Sequence, residues 1–416
     1  MTSPRPSAAR LRRRLAGLAS VTLVGVLALT GCGRVSDTSA SSSSTSATSS
    51  STVADAATAV ADESGADATS TSTTVSDAAA AAEAFLATLT DEQRGQVVYD
   101  YDDETRTTSW SNFPVTFVER AGLNLADLTE EQQGAAMEVL AALLDDEGYA
   151  TVAAIIGGDQ YLADNSSSTE SSLGQYYIAL FGEPSTTEAW EVQFGGHHLG
   201  INATLDGSAD AITFAPTHLG VQPAVYTNED GEEVQPFEGI YTDAFAFFDS
   251  LTAEQQATLT SGEVSMCAPG DTCGFATGEG LSGADLTDEQ AELLLELIAN
   301  WTGLADDETT EATREEIEAT LDETVIAWSG ETTYDMSTGD GISFSISGPD
   351  VYVAFQAQQG SAGADVDGVT TSGWGHVHTI YRDPTNDYAG SVTQQAASGM
   401  GGPGGGEMPG APGDVS

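Results

Sequence analysis

The sequence predicts an α+β protein built from two duplicated halves, each with capped helices followed by a small antiparallel sheet. The main observation is a repeated string, Leu-Thr-x-Glu-Gln, which begins at Leu89, Leu128, Leu251 and Leu286. In each copy a threonine stands three residues before a glutamine, which is the capping-box pattern of a helix start. Two copies in matched order in each part of the chain indicate an internal duplication.

The threonines of this string predict four helix starts, at Thr90, Thr129, Thr252 and Thr287. After the second copy of each pair, apolar residues recur at helical spacing. We expect these two helices to end near Gly148 and near Gly303.

Strand signals follow the helices in both parts of the chain. Residues 192–201 and 344–353 each have the pattern of a strand, a turn and a second strand, which is typical of antiparallel neighbours. We therefore place a folded body at residues 79–395, with halves at about 79–240 and 241–395.

The N-terminus has the features of an export signal. Five arginines lie in the first 14 residues, an apolar run follows, and Leu29-Thr30-Gly31-Cys32 resembles the bacterial lipobox. The resemblance implies cleavage of residues 1–31 and a lipid on Cys32, so that a membrane is the expected partner. The expected location is the outer face of the bacterial cytoplasmic membrane or the cell envelope.

Two segments are predicted to be disordered because they offer little to bury. Residues 32–78 are rich in Ser, Thr and Ala and would form a tether between the lipid and the body. Residues 396–416 are rich in Gly, Pro and Met and would form a tail.

The charge of the chain argues against one class of partner, and its cysteine content predicts a disulfide bond. The chain has 64 acidic and 11 basic residues, which argues against nucleic acid as a partner because phosphates are bound by Lys and Arg. Adaptation to salt, or drift in an acidic proteome, explains this acidity better than a specific acidic ligand site. Outside the cytoplasm, Cys267 and Cys273 predict a disulfide that closes a small loop.

The chain has five histidines, all candidate metal ligands: His197, His198, His218, His376 and His378. On a strand, His376 and His378 would point to the same face, whereas the adjacent pair would point to opposite faces unless Gly195-Gly196 turns the chain. We expect His376, His378 and one of the pair to converge on zinc or copper, with His218 or a carboxylate as the fourth ligand. Alternatively, the histidines form hydrogen bonds in a pocket or a core without metal.

One such site is expected in the molecule. The second half has Pro349-Asp350 where the first has His197-His198, so a symmetric second site would lack these ligands.

The string from Tyr381 to Tyr388 supplies further candidates. Arg382 could bind an anionic group of a small-molecule ligand, or it could form a salt bridge that holds a turn. Asp383 and Asp387 could orient a histidine. Trp374 could line a ligand pocket, although aromatic residues beside strands are more often core.

Several strings together resemble the bacterial family catalogued as domain of unknown function 3500. They are Trp110-Ser111-Asn112-Phe113-Pro114, Phe181-Gly182-Glu183-Pro184, Gly195-Gly196-His197-His198, Trp374-Gly375-His376-Val377-His378 and the string that closes at Tyr388. The resemblance covers nearly all of the body and implies no activity. The residues leave three interpretations open: a metal-dependent exported protein, which includes a metal-dependent enzyme; a lipoprotein that binds a small ligand without metal; or a cell-surface interaction scaffold.

Overall fold

The computed structural model describes residues 52–63, 70–168, 173–259, 264, 266, 280–360 and 364–392. The predicted signal peptide, the lipid on Cys32, the predicted disulfide between Cys267 and Cys273, and the predicted tail all lie outside these residues.

Helices occupy both parts of the described chain. They are α1 (Val53–Glu63), α2 (Thr71–Thr88), α3 (Asp91–Val97), α4 (Glu130–Leu143), α5 (Asp146–Asn165), α6 (Glu238–Ser250), α7 (Ala253–Gln256), α8 (Asp288–Thr302) and α9 (Asp307–Thr320). Within the described residues, none of the helices combines the length and apolar character that a membrane crossing requires.

The strands are β1 (Val98–Tyr99), β2 (Leu123–Asn124), β3 (Tyr177–Phe181), β4 (Ala189–Gly195), β5 (Leu199–Asp206), β6 (Ala211–Thr213), β7 (Thr217–Val221), β8 (Tyr226–Thr227), β9 (Glu233–Val234), β10 (Leu281–Ser282), β11 (Val325–Gly330), β12 (Ile342–Ser347), β13 (Tyr352–Gln358) and β14 (Gly373–Arg382). Twelve of them form one mixed sheet, whose main path runs β1-β3-β4-β5-β7-β14-β13-β12-β11-β10, and β8 pairs separately with β9.

The α+β prediction is confirmed, but the expectation of a separate small sheet in each half is wrong. Strand β7 pairs antiparallel with β14, with Thr217 opposite Tyr381, and this pairing joins both groups of strands. Sequence patterns indicate only the pairing of neighbouring strands. The two groups of strands join because an unpaired β7 or β14 would leave a row of backbone donors and acceptors without partners.

The four predicted helix starts are confirmed as complete capping boxes, at Thr90, Thr129, Thr252 and Thr287. The helix end near Gly303 is also confirmed, since α8 ends at Thr302. The end near Gly148 is wrong: α4 ends at Leu143, and the side chain of Asp145 then caps the start of α5 by accepting a hydrogen bond from the Gly148 amide. The predicted helix was therefore too long, because it included the start of α5.

The predicted disorder of residues 32–78 is wrong where the structure describes that segment. Helix α1 and the first turns of α2 are ordered and packed, with Val53, Ala57 and Val60 buried in the main core. These residues lie four and three apart, so they share one helix face that is apolar although made of small side chains. The overall Ser, Thr and Ala content of the segment does not reveal this narrow apolar face, and for this reason the segment was predicted to be disordered.

The two faces of the sheet differ in chemistry. On β4, Val192 and Phe194 belong to the helix-covered core, whereas Gln193 faces the other side and accepts a 2.6 Å hydrogen bond from the Ser109 hydroxyl. On that side Trp110 packs so close that a Cβ at Gly200 would lie 3.2 Å from its ring. The sheet is therefore buried on both faces beside the histidines.

Candidate metal centre

Strand β14 places two imidazoles together, as the sequence predicts. His376 and His378 lie on the same side of the strand, and their Nε2 atoms are 3.0 Å apart. The Nδ1 atom of His376 lies 3.3 Å from the Gly360 carbonyl oxygen, which favours a proton on Nδ1 and leaves the Nε2 lone pair free to face His378.

The turn between β4 and β5 brings in both members of the adjacent pair. His197 and His198 stack with ring centroids 4.1 Å apart, so the expectation that only one would join the site is wrong, and the alternative of a turn at Gly195-Gly196 holds. Both glycines are required there. A Cβ would lie 2.2 Å from the Leu199 carbonyl oxygen at Gly195, and 2.6 Å from that of Gln175 at Gly196.

His218, on β7, lies against the group but is held by backbone carbonyls. Its ring stacks on His378 at 5.4 Å, with Nδ1 2.7 Å from the Thr379 oxygen and Nε2 3.3 Å from the His197 oxygen. A ring nitrogen that faces a carbonyl is placed to donate a proton rather than to bind a cation. Among the five, His218 is therefore the least suited to be a ligand.

We call these five residues the histidine cluster. One ligand nitrogen from each of His197, His198 and His378 lies within 4.8 Å of the others, and all five residues are at most 7 % exposed. A tetrahedral ion with bonds of about 2.0–2.1 Å separates its ligand nitrogens by about 3.3 Å, so the side chains would move inward around an ion. His376 is in position to be a fourth ligand.

Some buried nitrogens of the cluster form no hydrogen bond. His197 Nδ1, His198 Nε2 and His378 Nδ1 are buried and have no hydrogen-bond partner. Buried polar atoms usually have partners, so orphaned nitrogens on three adjacent imidazoles fit a site for a cation. Imidazole nitrogen is a ligand for both zinc and copper.

An acidic residue that sequence reasoning missed completes the centre. Asp159, on α5, is 1 % exposed, and its Oδ1 lies 2.5 Å from Nδ1 of His198. Its Oδ2 accepts a 2.7 Å hydrogen bond from the Tyr176 hydroxyl. A signal existed in the sequence, because Asp159 falls on the same helix face as Ile155, Ile156 and Leu162, where an acid is unexpected.

Burial keeps the imidazoles neutral. Loss of solvent lowers the pKa of His198 and of His376 to about 3, with repulsion by neighbouring imidazoles as a further cause. The pKa values of His197 and His378 are also well below the ordinary value, again mainly through burial. Neutral imidazole is the form that binds metal, so the four rings are ready to coordinate near pH 7.

The charge of Asp159 reflects opposing influences. Burial raises its pKa to about 6, while nearby histidines and the Tyr176 hydroxyl act to lower it. In the part of the chain that the structure describes, Asp159 contacts the cluster directly, through its Oδ1 atom and Nδ1 of His198.

The candidates after β14 serve the turn. Arg382 forms a buried ion pair with Asp387, with Nε 2.6 Å from Oδ2. Asp383 accepts hydrogen bonds of 2.9 Å from the amides of Thr385 and Asn386. Of the two readings of Arg382, the structure shows the salt bridge, and the place next to a histidine that was considered for Asp383 and Asp387 belongs to Asp159.

Trp374 lies in the aromatic core beneath α6 instead of lining the cluster. Its ring is 5.4 Å from that of Tyr241, and its Nε1 donates a 2.8 Å hydrogen bond to the Thr338 oxygen. A register shift between Ala357 and Gln358 on the paired strand explains why Trp374 and His376 have different surroundings although they are two residues apart.

Fold and site together define an α+β protein with a buried cluster of neutral imidazoles beside β7 and β14, at the middle of a single sheet. The family profile described as "Protein of unknown function (DUF3500)" matches residues 71–390, so the chain belongs to this family, as the resemblance implied. No curated protein and no solved structure matches the chain.

Proposed function

We propose that this chain is a metal-binding lipoprotein of the bacterial cell envelope, with one zinc or copper ion held by His197, His198, His376 and His378. The observation that carries the proposal is the convergence of His197, His198 and His378, with one nitrogen each within 4.8 Å of the others in a buried setting. Structural satisfaction of the histidines accounts less well for their orphaned nitrogens.

The donor set defines what the ion would contribute. Three imidazoles with an open fourth position are typical of catalytic zinc, whereas four imidazoles would close the site. A bound ion of this kind would polarise a carbonyl or phosphoryl oxygen and lower the pKa of water. In the proposed site His376 is the fourth ligand, so this chemistry would need His376 to leave the ion and open a position for water.

The proposed address rests on the N-terminal sequence. The arginine-rich start, the apolar run and the Leu-Thr-Gly-Cys ending support lipidation of Cys32. The chain between Cys32 and α1 would then be the tether, which is shorter than composition alone suggests because α1 already packs in the body.

We also propose that the body arose by duplication. Gln132 donates to the Thr88 oxygen at 3.0 Å, and Gln290 donates to the Ser250 oxygen at 2.8 Å. Each of these glutamines also belongs to the second capping box of its half. Such matched local contacts, with β7 and β14 meeting at the middle of the sheet, support two copies of one unit.

Elemental analysis of the full chain, purified without a histidine tag, tests the metal site. We expect about one equivalent of zinc or copper per chain, and a loss to background in the double variant His376→Ala/His378→Ala. His218→Asn is the matched control, because it removes an imidazole of the same cluster that is not an expected ligand. It should retain the metal.

Thermal unfolding gives a second readout. A chelator should lower the melting temperature of the wild type and leave that of the double variant unchanged, because only the wild type gains stability from the ion. Absence of metal after reloading with both zinc and copper would overturn the proposal and leave the small-ligand and scaffold readings.

A further inference from the structure

The environment of Asp159 differs from that of an ordinary buried acid. Both of its oxygens are engaged: Oδ1 with His198 Nδ1 at 2.5 Å, and Oδ2 with the Tyr176 hydroxyl at 2.7 Å. Tyr176 is itself fully buried and stacked on Phe194, with centroids 5.7 Å apart and planes 12° from parallel. The carboxylate is therefore held on one side by a rigid phenol and presents its other oxygen to the imidazole.

Helix α5 is held at this position from a second direction. The Tyr226 hydroxyl donates a 2.8 Å hydrogen bond to the Ala154 oxygen, and its ring lies against Gly157 and Gly158. A Cβ at Gly157 would lie 2.5 Å from that hydroxyl oxygen, so the close approach depends on glycine. These contacts determine how far Asp159 reaches toward the histidines.

The consequence for His198 is a defined proton position. A carboxylate oxygen can only accept, so Nδ1 of His198 must carry the proton and Nε2 must carry the lone pair. Nε2 is the buried atom of this ring that has no hydrogen-bond partner. The ring also packs on the backbone, since a Cβ at Gly220 would lie 3.3 Å from its Cδ2, and this contact limits reorientation.

We propose that Asp159 is the positioning residue of the metal centre: it sets the tautomer of His198, directs Nε2 into the cluster, and supplies a negative charge beside the cation. This inference rests on the proposed metal site and adds to it a partner outside the ligand set. A carboxylate that accepts from the far nitrogen of a ligating histidine increases the basicity of the nitrogen that binds the ion.

Two variants separate this role from a general effect of burial. Asp159→Asn keeps the size of the side chain but removes the charge, and its amide can either accept from or donate to His198. Asp306→Asn is the matched control, because Asp306 is 3 % exposed and accepts hydrogen bonds from Thr74 and Thr309, away from the cluster. Both changes remove a buried carboxylate.

The first measurement is zinc affinity of the full chain by competition with a chelator at pH 7.4. We expect Asp159→Asn to weaken binding about 10- to 100-fold, and Asp306→Asn to leave it unchanged even where it lowers the melting temperature. Tyr176→Phe, which removes one hydrogen bond to Asp159 and keeps the ring, should weaken binding by a smaller factor. It also serves as a readout if Asp159→Asn fails to fold.

The second measurement needs no metal and so distinguishes failure of this inference from failure of the proposed function. With ¹⁵N-labelled histidine the spectrum contains only five imidazoles, and a His198→Gln variant identifies the signals of His198. Metal-free wild type should show His198 protonated at Nδ1, with a slowly exchanging proton that is lost or mixed in Asp159→Asn. The same tautomer and the same zinc affinity in a folded Asp159→Asn protein would overturn the inference.

Discussion

Two turns of the same backbone form occur in the two parts of the sheet, and only one of them carries the candidate site. Between β4 and β5 the Gly196 amide donates to the Leu199 oxygen at 2.8 Å, and between β12 and β13 the Gly348 amide donates to the Val351 oxygen at 2.8 Å. The first turn encloses two histidines that are at most 7 % exposed, whereas the second encloses Pro349-Asp350, which is partly exposed.

The surroundings of the two turns explain the difference. The first turn meets Asp159 from α5 and the imidazoles of β14. In the second, Asp350 accepts hydrogen bonds from the hydroxyls of Thr320 at 2.8 Å and Thr385 at 3.2 Å. The same backbone turn thus holds a loop in one part of the sheet and a set of potential ligands in the other.

The largest expected effect that distinguishes the two turns is acid destabilisation, because the histidine cluster surrounds only the first. Burial lowers the pKa of His198 and His376 to about 3 and that of His218 to about 4. The corresponding value in an unfolded chain is about 6.5. Between these values the unfolded chain binds more protons, so the free energy of unfolding falls as the pH falls. The other two histidines act in the same direction.

Three buried carboxyl groups oppose part of this effect. Burial raises the pKa of Asp159 and of Asp383 to about 6 and that of Glu191 to about 8, so near pH 5 the folded protein binds the extra protons at these sites. Near pH 5 the unfolded chain binds about five protons at its histidines and the folded chain about three at these carboxyl groups. The difference of about two protons corresponds to about 1.4 kcal/mol per pH unit for each proton. Denaturant unfolding of metal-free protein should therefore show a free energy of unfolding that falls as the pH falls from 6.5, with a slope that steepens to about 3 kcal/mol per pH unit near pH 5.

The double variant His376→Gln/His378→Gln is the control for this pH dependence. It removes two buried imidazoles and should flatten the slope. Unfolding free energy that does not change with pH in the wild type would contradict the assignment of the cluster as neutral and buried.

A matched pair of glycine substitutions tests the two turns directly. In Gly196→Ala the new Cβ would lie 2.6 Å from the Gln175 backbone oxygen, and in Gly348→Ala it would lie 2.4 Å from Thr324 Cγ2. Each change overpacks a buried turn, and we expect each to lower the free energy of unfolding by about 1–3 kcal/mol. Only Gly196→Ala should also weaken metal binding, because it displaces His197 and His198. Equal zinc affinity in the two folded variants would contradict the special role of the first turn.

The smallest expected effect concerns a hydrogen-bond pattern that occurs in both parts of the chain. Gln132→Ala removes the bonds of that amide to the Thr88 oxygen and the Thr129 amide, and Gln290→Ala removes the equivalent bonds to Ser250 and Thr287. Each substitution should lower the free energy of unfolding by about 1–2 kcal/mol. Chemical denaturation compares the two directly. Closely similar losses would support the duplication, whereas a large loss in one half and none in the other would argue against it.

The candidate site was only partly predictable. The alternation of a strand was enough to place His376 and His378 together, because side chains two apart share a face. The contribution of both His197 and His198 depended on a tight turn that two glycines allow. Asp159 was missed because it lies far along the chain from every histidine, and its oddity, an acid within an apolar helix stripe, is visible only once the helix bounds are known.

By itself the sequence determined the family, the four capped helix starts, the two strand-turn-strand units and the residue types available for coordination, because these depend on neighbours within a few positions. It also predicts export and lipidation at Cys32. Tertiary structure alone decided that β7 and β14 join all the strands into one sheet, and that Arg382 pairs with Asp387 within the turn. It also decided that Asp159 reaches His198. These features depend on contacts between residues distant in the chain. Burial makes such contacts important for stability, because a charge or an imidazole removed from water costs free energy unless a partner lies beside it.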